Sequence, residues 1–349
     1  MINIDRLKTF IKQNNLYLLL FVFVLLFYAA IAASEKETSK EETAGAQGQS
    51  ELRKEPTADE IEALLRDRKD LLIILSLVSF LVIITFLLGS AIDIYLLNAK
   101  ARGLITFRAR APALVNWNPW DVGKAAILFG FFSSVILIAE SSLSRLWPVI
   151  RDYENLRMAV NTTIIDSLIC VLVLYFVIKE NKDSIARLGL TLENIVQNTA
   201  IAVSSYLAII PVMVIILAST LFVCKILNYQ PPPQPILEFF FNEKNGLLVI
   251  YMTVFAAVGG PVVEEIFFRG FMYGAFKKRL GIFFGALASA SVFSVLHANV
   301  IGFLPILVLG MVLSYVYEIT GSLLTPMLVH IMHNSAMLIL VHIGREIQG

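Results

Sequence analysis

Charge, cysteine and histidine are all scarce in this chain. Of 349 residues only 16% are Asp, Glu, Lys or Arg, where soluble domains carry about 25%. Hydrophobic residues make up 57%, and that imbalance excludes an ordinary water-soluble enzyme. Lys+Arg (28) and Asp+Glu (27) leave a formal charge of +1, so no basic surplus exists to attract nucleic acid. The two cysteines, Cys170 and Cys224, fall inside apolar runs, which argues against a disulfide framework or a thiolate metal site. Gly (19) and Pro (12) are too few for a collagen-like chain, and the abundant aliphatic residues exclude a disordered one. Ten-residue stretches of alternating polarity, the mark of a membrane barrel, are missing too.

What remains is apolar sequence in helix-length blocks. Runs able to cross about 30 Å of hydrocarbon occur near 16–33, 71–92, 124–143, 160–178 and 200–224. From 247 to 343 the chain is almost continuously apolar, and its interruptions divide it into passes near 247–276, 281–298, 303–318 and 321–343. The expected fold is therefore an all-α polytopic membrane bundle of about nine helices, because a helix satisfies its own backbone in lipid. Four segments are expected: a membrane anchor at 1–33, a hydrophilic acidic loop at 34–70, accessory helices over 71–184, and a C-terminal core over 185–349. The anchor is read as uncleaved, since its apolar run exceeds a signal peptide's core of roughly 7–15 residues.

Placing the N-terminus in the cytoplasm puts Arg6, Lys8, Lys12, Lys100, Arg102, Arg108, Arg110, Lys179, Lys182 and Lys277–Arg279 on the inner side. That agrees with the positive-inside bias. Residues 34–70 are expected to begin without structure, with a helix over 59–70 extending the second pass into water. Trp117 and Trp120 read as interfacial belt residues. Asp93, Glu140, Asp166, Glu318 and His342 lie near predicted helix ends, where snorkelling or capping explains them.

The run from Gly259-Gly260-Pro261 through Glu264-Glu265 to Arg269 has no such explanation. Each carboxylate costs about 2.5–3.5 kcal/mol at mid-membrane. Glu265 and Arg269 are four residues apart, share a helix face and can pair. Glu264 points roughly 100° away and has no local partner. The Gly-Gly-Pro triplet is expected to break the helix above it. Counted at about 1.5 Å per residue from the basic cluster, Glu264, His297, His330 and Asn334 reach depths that agree within about two turns. Three helices can therefore bring them to one buried site. Ser294 is expected to bond its own helix backbone rather than serve as a nucleophile. A carboxylate beside a His can activate water, and a His with an Asn amide can hold an oxyanion. Glu and His also bind zinc, which keeps a zinc site open, although the His-Glu-x-x-His signature is absent.

At these residues the sequence resembles the CPBP intramembrane proteases, which group type II CAAX-prenyl endopeptidases with bacterial bacteriocin-processing and self-immunity relatives. The resemblance rests on Glu264-Glu265-x-x-x-Arg269, Phe293-x-x-x-His297 and His330-x-x-x-Asn334, in that order. It covers roughly residues 185–343, entering near Leu188-Gly189-Leu190, and not the first four passes. It implies an endopeptidase without cofactor or metal. In it Glu264 and His297 activate water, His330 and Asn334 hold the oxyanion, and Glu265 and Arg269 support them. His333 is outside the motifs. Short loops and a plain N-terminal anchor look prokaryotic, which favours a membrane-anchored or maturing peptide over a prenylated protein as substrate. Two alternatives stay open: a zinc peptidase using the same residues with His333, and a non-catalytic membrane scaffold.

Overall fold

In the computed structural model, residues 4–45, 68–106, 108–111, 115–229 and 234–348 are described. Among them there are helices and connections and no strand. The order is α1 (Ile4–Gln13), α2 (Asn15–Gly45), α3 (Lys69–Ala101), α4 (Pro119–Leu146), α5 (Glu154–Leu174, running on in a π-form through Tyr175–Glu180), α6 (Ile195–Ile226) and the short α7 (Pro235–Asn242). A long run, Gly246–Leu296, follows, and then come Phe303–Thr320 and Leu324–Gln348. Eight helical runs among the described residues are long and apolar enough to cross a membrane. The chain is an integral multi-pass membrane protein, as its run lengths require.

The long run is two helices. At Gly281 the backbone turns through φ 78°, ψ 178°, a conformation that favours glycine. Ser289 Oγ then donates to Phe268 O at 3.0 Å, a contact between residues that a straight helix would hold roughly 30 Å apart. We call the two arms α8 (246–280) and α9 (282–296); Phe303–Thr320 is α10 and Leu324–Gln348 is α11. The reversal falls just past the basic cluster Lys277–Arg279, which stops the apolar run and makes a water-facing turn there inexpensive.

Several expectations need correction. The helix does not break at Gly259-Gly260-Pro261: both glycines keep helical angles, and the backbone instead widens into π turns at Phe255–Gly259 and Ile266–Tyr273. A π turn takes up the missing proline N–H without ending the helix. Residues 34–45 are helical, continuing α2 to Gly45, in keeping with their Ala, Glu and Lys content. The helix expected over 59–70 lies largely outside the described residues. Trp117 is fully buried, with Nε1 donating to Phe271 O at 2.8 Å and its ring stacked on Phe271. A buried indole needs a partner for its N–H, and the core supplies one.

The chain divides into two compact units. One holds α1, α2 and the greater parts of α4 and α5. In it Phe23 meets Phe131 edge to face, and Glu140, expected to snorkel, pairs with Arg157 at 2.5 Å. The other holds α3, the segment leading to α4, and everything from residue 173 onward. Its centre is α10, whose Leu309, Leu313 and Val316 pack with Ala202 of α6 and Val329 of α11. Glu318, also expected near headgroups, is buried there. It accepts from Lys277 Nζ at 2.9 Å and from Tyr273 Oη at 2.7 Å. A carboxylate taken out of water needs such partners. Asp93 lines a groove between α3, α6 and α10, beside Gln197, Ser205 and Tyr315.

Candidate active site

The polar residues of the second unit collect where α8, α9, α10 and α11 meet. Glu265 and Arg269, one turn apart on α8, are both fully buried and pair at 2.6 Å. Arg269 also donates to Gly310 O of α10 at 3.4 Å, and its guanidinium lies 4.4 Å from the centre of the Phe293 ring. Gly310 makes room for this: a Cβ there would stand 2.9 Å from Ala290 Cβ and 3.4 Å from Arg269 Nη2. A guanidinium is held in apolar surroundings only when its charge is matched and its donors are used. Glu265, the Gly310 carbonyl and an aromatic face meet that requirement in part. Arg269 Nε and Glu265 Oε2 have no protein partner.

His330, from α11, is buried between the two carboxylates. Its Nδ1 lies 2.8 Å from Glu265 Oε1, and its Nε2 lies 3.6 Å from Glu264 Oε2. A carboxylate accepts, so Nδ1 carries the hydrogen and Nε2 is turned to Glu264. Arg269, Glu265 and His330 thus form a chain in which each member fixes the next. The adjacent glutamates differ in exposure. The Glu265 side chain is 0% exposed and Glu264 is 33% exposed. The roughly 100° step between neighbours on a helix turns one into the protein and the other toward open space.

His297 caps the C-terminus of α9. Its Nδ1 lies 2.7 Å from Phe293 O, which as a carbonyl can only accept, so here too Nε2 is left for other work. Its imidazole is exposed and meets the cluster through the Phe293 ring, whose edge-to-face contacts reach His297 at 4.5 Å and His330 at 5.7 Å. The direct partner of Glu264 is His330. Asn334, one turn beyond His330, donates from Nδ2 to Ala256 O at 3.0 Å. His333 lies against Tyr206 of α6. His342, expected to reach headgroups, turns inward to Thr253 Oγ1 at 3.0 Å. Ser294 donates to Phe303 O at 2.5 Å, across the connection to α10 rather than to its own helix. It is not placed as a nucleophile.

Two contributors were not assigned a role from sequence. The Phe293 ring is touched by Arg269, His297 and His330 together; its place four residues before His297, on one helix face, was the available signal. The backbone carbonyl of Ala256 gave no signal in residue type at all. Among the described residues no three His, Cys, Asp or Glu side chains form a metal-holding group. His330 Nδ1 is committed to Glu265, and Glu265 to Arg269. Glu264, a third exposed and faced by His330 Nε2 at 3.6 Å, can accept a hydrogen bond from water.

The matching family model covers these same residues. Residues 246–336 match the family model described as type II CAAX prenyl endopeptidase Rce1-like. A curated protein of Bacillus subtilis (strain 168), named "Putative membrane peptidase YdiL", is 29% identical over 89 residues, which make up 26% of this chain and 36% of that relative. The match thus spans little more than a third of the relative's length. No solved structure matches.

Proposed function

With residues 246–336 an Rce1-like segment, we propose that this chain is a membrane-embedded endopeptidase acting on a membrane-anchored or maturing peptide. The reaction is addition of water to the scissile carbonyl, followed by collapse to a carboxylate and an amine. Glu264 takes a proton from the attacking water, His297 orients that water through Nε2, and the proton then passes from Glu264 to the departing amine. His330 and Asn334 hold the oxyanion. Because Nδ1–H of His330 is held by Glu265, His330 donates to the oxyanion only when Nε2 also carries a hydrogen. Glu265 and Arg269 keep His330 in place and take no part in proton transfer. The catalytic core is residues 185–349, served by the anchor 1–33, the hydrophilic loop 34–70 and the accessory helices 71–184. The chain sits in a prokaryotic cytoplasmic membrane with its N-terminus inside, and its working partners are the bilayer and the peptide.

The observation that carries this reading is the contrast between the two adjacent glutamates. One is sealed and bonded on the inside; the other is a third exposed, with His330 Nε2 3.6 Å away. Polar glue between membrane helices returns about 0.6–2 kcal/mol per contact, less than the roughly 2.5–3.5 kcal/mol each intramembrane carboxylate costs. An open carboxylate is therefore poor glue and a good base. The test compares the membrane peptidome of cells carrying the wild-type chain with that of cells carrying Glu264→Gln at equal abundance. New peptide termini present only with the wild type are expected; identical peptidomes would contradict the proposal.

A further inference from the structure

The carbonyl of Ala256 is left open by the sequence of its own helix. In the π turn Phe255–Gly259, Gly260 N–H donates five residues back, to Phe255 O. The next N–H in that register, which would reach Ala256 O, belongs to residue 261. That residue is proline, and proline has no N–H. Neither of the two N–H groups that a helix would offer Ala256 is available. Its carbonyl is met from another helix instead, by Asn334 Nδ2 at 3.0 Å.

This contact decides how the Asn334 amide faces. A carbonyl oxygen only accepts, so it selects the NH2 end of the amide and turns Oδ1 away. One Nδ2 hydrogen is then used on Ala256 O and the second is left, in a fixed direction, one turn from His330. We infer that Pro261 is a positioning residue for Asn334: by withholding an N–H it keeps Ala256 O open, and Ala256 O aims the amide whose second hydrogen meets the oxyanion. The last clause rests on the peptidase reading; the link between Pro261 and Asn334 does not.

Pro261→Ala supplies the missing N–H, which competes with Asn334 for Ala256 O. The experiment uses the full-length chain in four forms: wild type, Pro261→Ala, Asn334→Ala and the double variant. In detergent micelles, Asn334→Ala is expected to lower the unfolding midpoint in the wild-type background and to leave it nearly unchanged with Pro261→Ala. Asn334→Asp, which puts an acceptor where the NH2 stood, should show the same rescue. Should Pro261→Ala not fold, Pro261→Ser introduces the same N–H. The second readout is turnover of quenched-fluorescent peptides from a library, with the protein in liposomes. For any peptide the wild type cleaves, Pro261→Ala should lower kcat toward the roughly 10²-fold loss that accompanies removal of an oxyanion donor. KM should be unchanged, and the double variant should be no slower than Asn334→Ala alone. Equal midpoint losses in both backgrounds, or a wild-type kcat for Pro261→Ala, would overturn the inference. A wild-type protein that cleaves no library peptide would count against the peptidase reading, while the four midpoints still decide the Pro261–Asn334 link.

Discussion

His330 is bonded to Glu265 and faces Glu264: its Nδ1 lies 2.8 Å from the first carboxylate and its Nε2 lies 3.6 Å from the second. The two glutamates are neighbours in the chain, yet this one imidazole bonds the sealed carboxylate and faces the part-exposed one. Glu265 also anchors Arg269 at 2.6 Å, so the support extends through α8 to the Phe293 ring and the Gly310 carbonyl.

Removing that support should cost stability as well as rate. Glu265→Gln leaves the fully buried Arg269 charge without its counter-ion, and breaking a buried pair costs about 3–5 kcal/mol. Thermal unfolding in detergent should show a large fall in midpoint for Glu265→Gln and little change for Glu264→Gln. Equal falls for both would show that the two carboxylates are not divided in this way.

The closeness of α9 and α10 can be probed separately. Gly310→Ala would place a Cβ 2.9 Å from Ala290 Cβ and 3.4 Å from Arg269 Nη2. Overpacking of this kind costs about 1–3 kcal/mol, and here it also pushes on the guanidinium. A lower unfolding midpoint together with lower cleavage is expected; a variant matching wild type in both would mean that the contact is loose.

Much of this architecture was legible because length and hydrophobicity dominate in lipid. The spans 16–33, 200–224 and 303–318 fall inside Asn15–Ser34, Ile195–Ile226 and Phe303–Thr320, since a helix must cover the hydrocarbon whatever its partners. Gly281 lay where a glycine follows a basic cluster, a readable turn. The π turns around Pro261 were not readable, because a wider helical turn carries no distinct residue pattern. Lys277 and Glu318 are 41 residues apart, and only the fold brings them together, so Glu318 read as a peripheral charge. Trp117 misled because an indole suits a membrane interface and a buried niche with one acceptor equally well. Within the site, residue types and depth singled out Glu264, His297, His330 and Asn334. They carried nothing about which carboxylate His330 would hold.

The proposed oxyanion donors should be less critical than the proposed base. His330→Ala or Asn334→Ala is expected to leave measurable cleavage, lowered about 10²–10³-fold, with KM nearly unchanged. Complete loss in Asn334→Ala with the fold intact would call for a larger role for the amide than donating one hydrogen bond.

Metal should be dispensable. A catalytic zinc needs about three protein ligands, and with His330 Nδ1 and Glu265 already engaged the cluster offers Glu264 and His330 Nε2, so His297 would have to complete the set. Cleavage should persist in strong chelator, and metal analysis of purified protein should find no stoichiometric zinc. Activity lost on stripping and regained only with added zinc would replace the water-activation scheme with a zinc one.

Whether Glu264 is the base is decided by cleavage kinetics of purified Glu264→Gln in liposomes beside the wild type. The amide keeps the shape of the side chain but cannot take a proton from water. No detectable cleavage is expected for this variant at an unfolding midpoint matching wild type, with His297→Ala similarly impaired; near-wild-type cleavage by folded Glu264→Gln would mean that another group takes the proton.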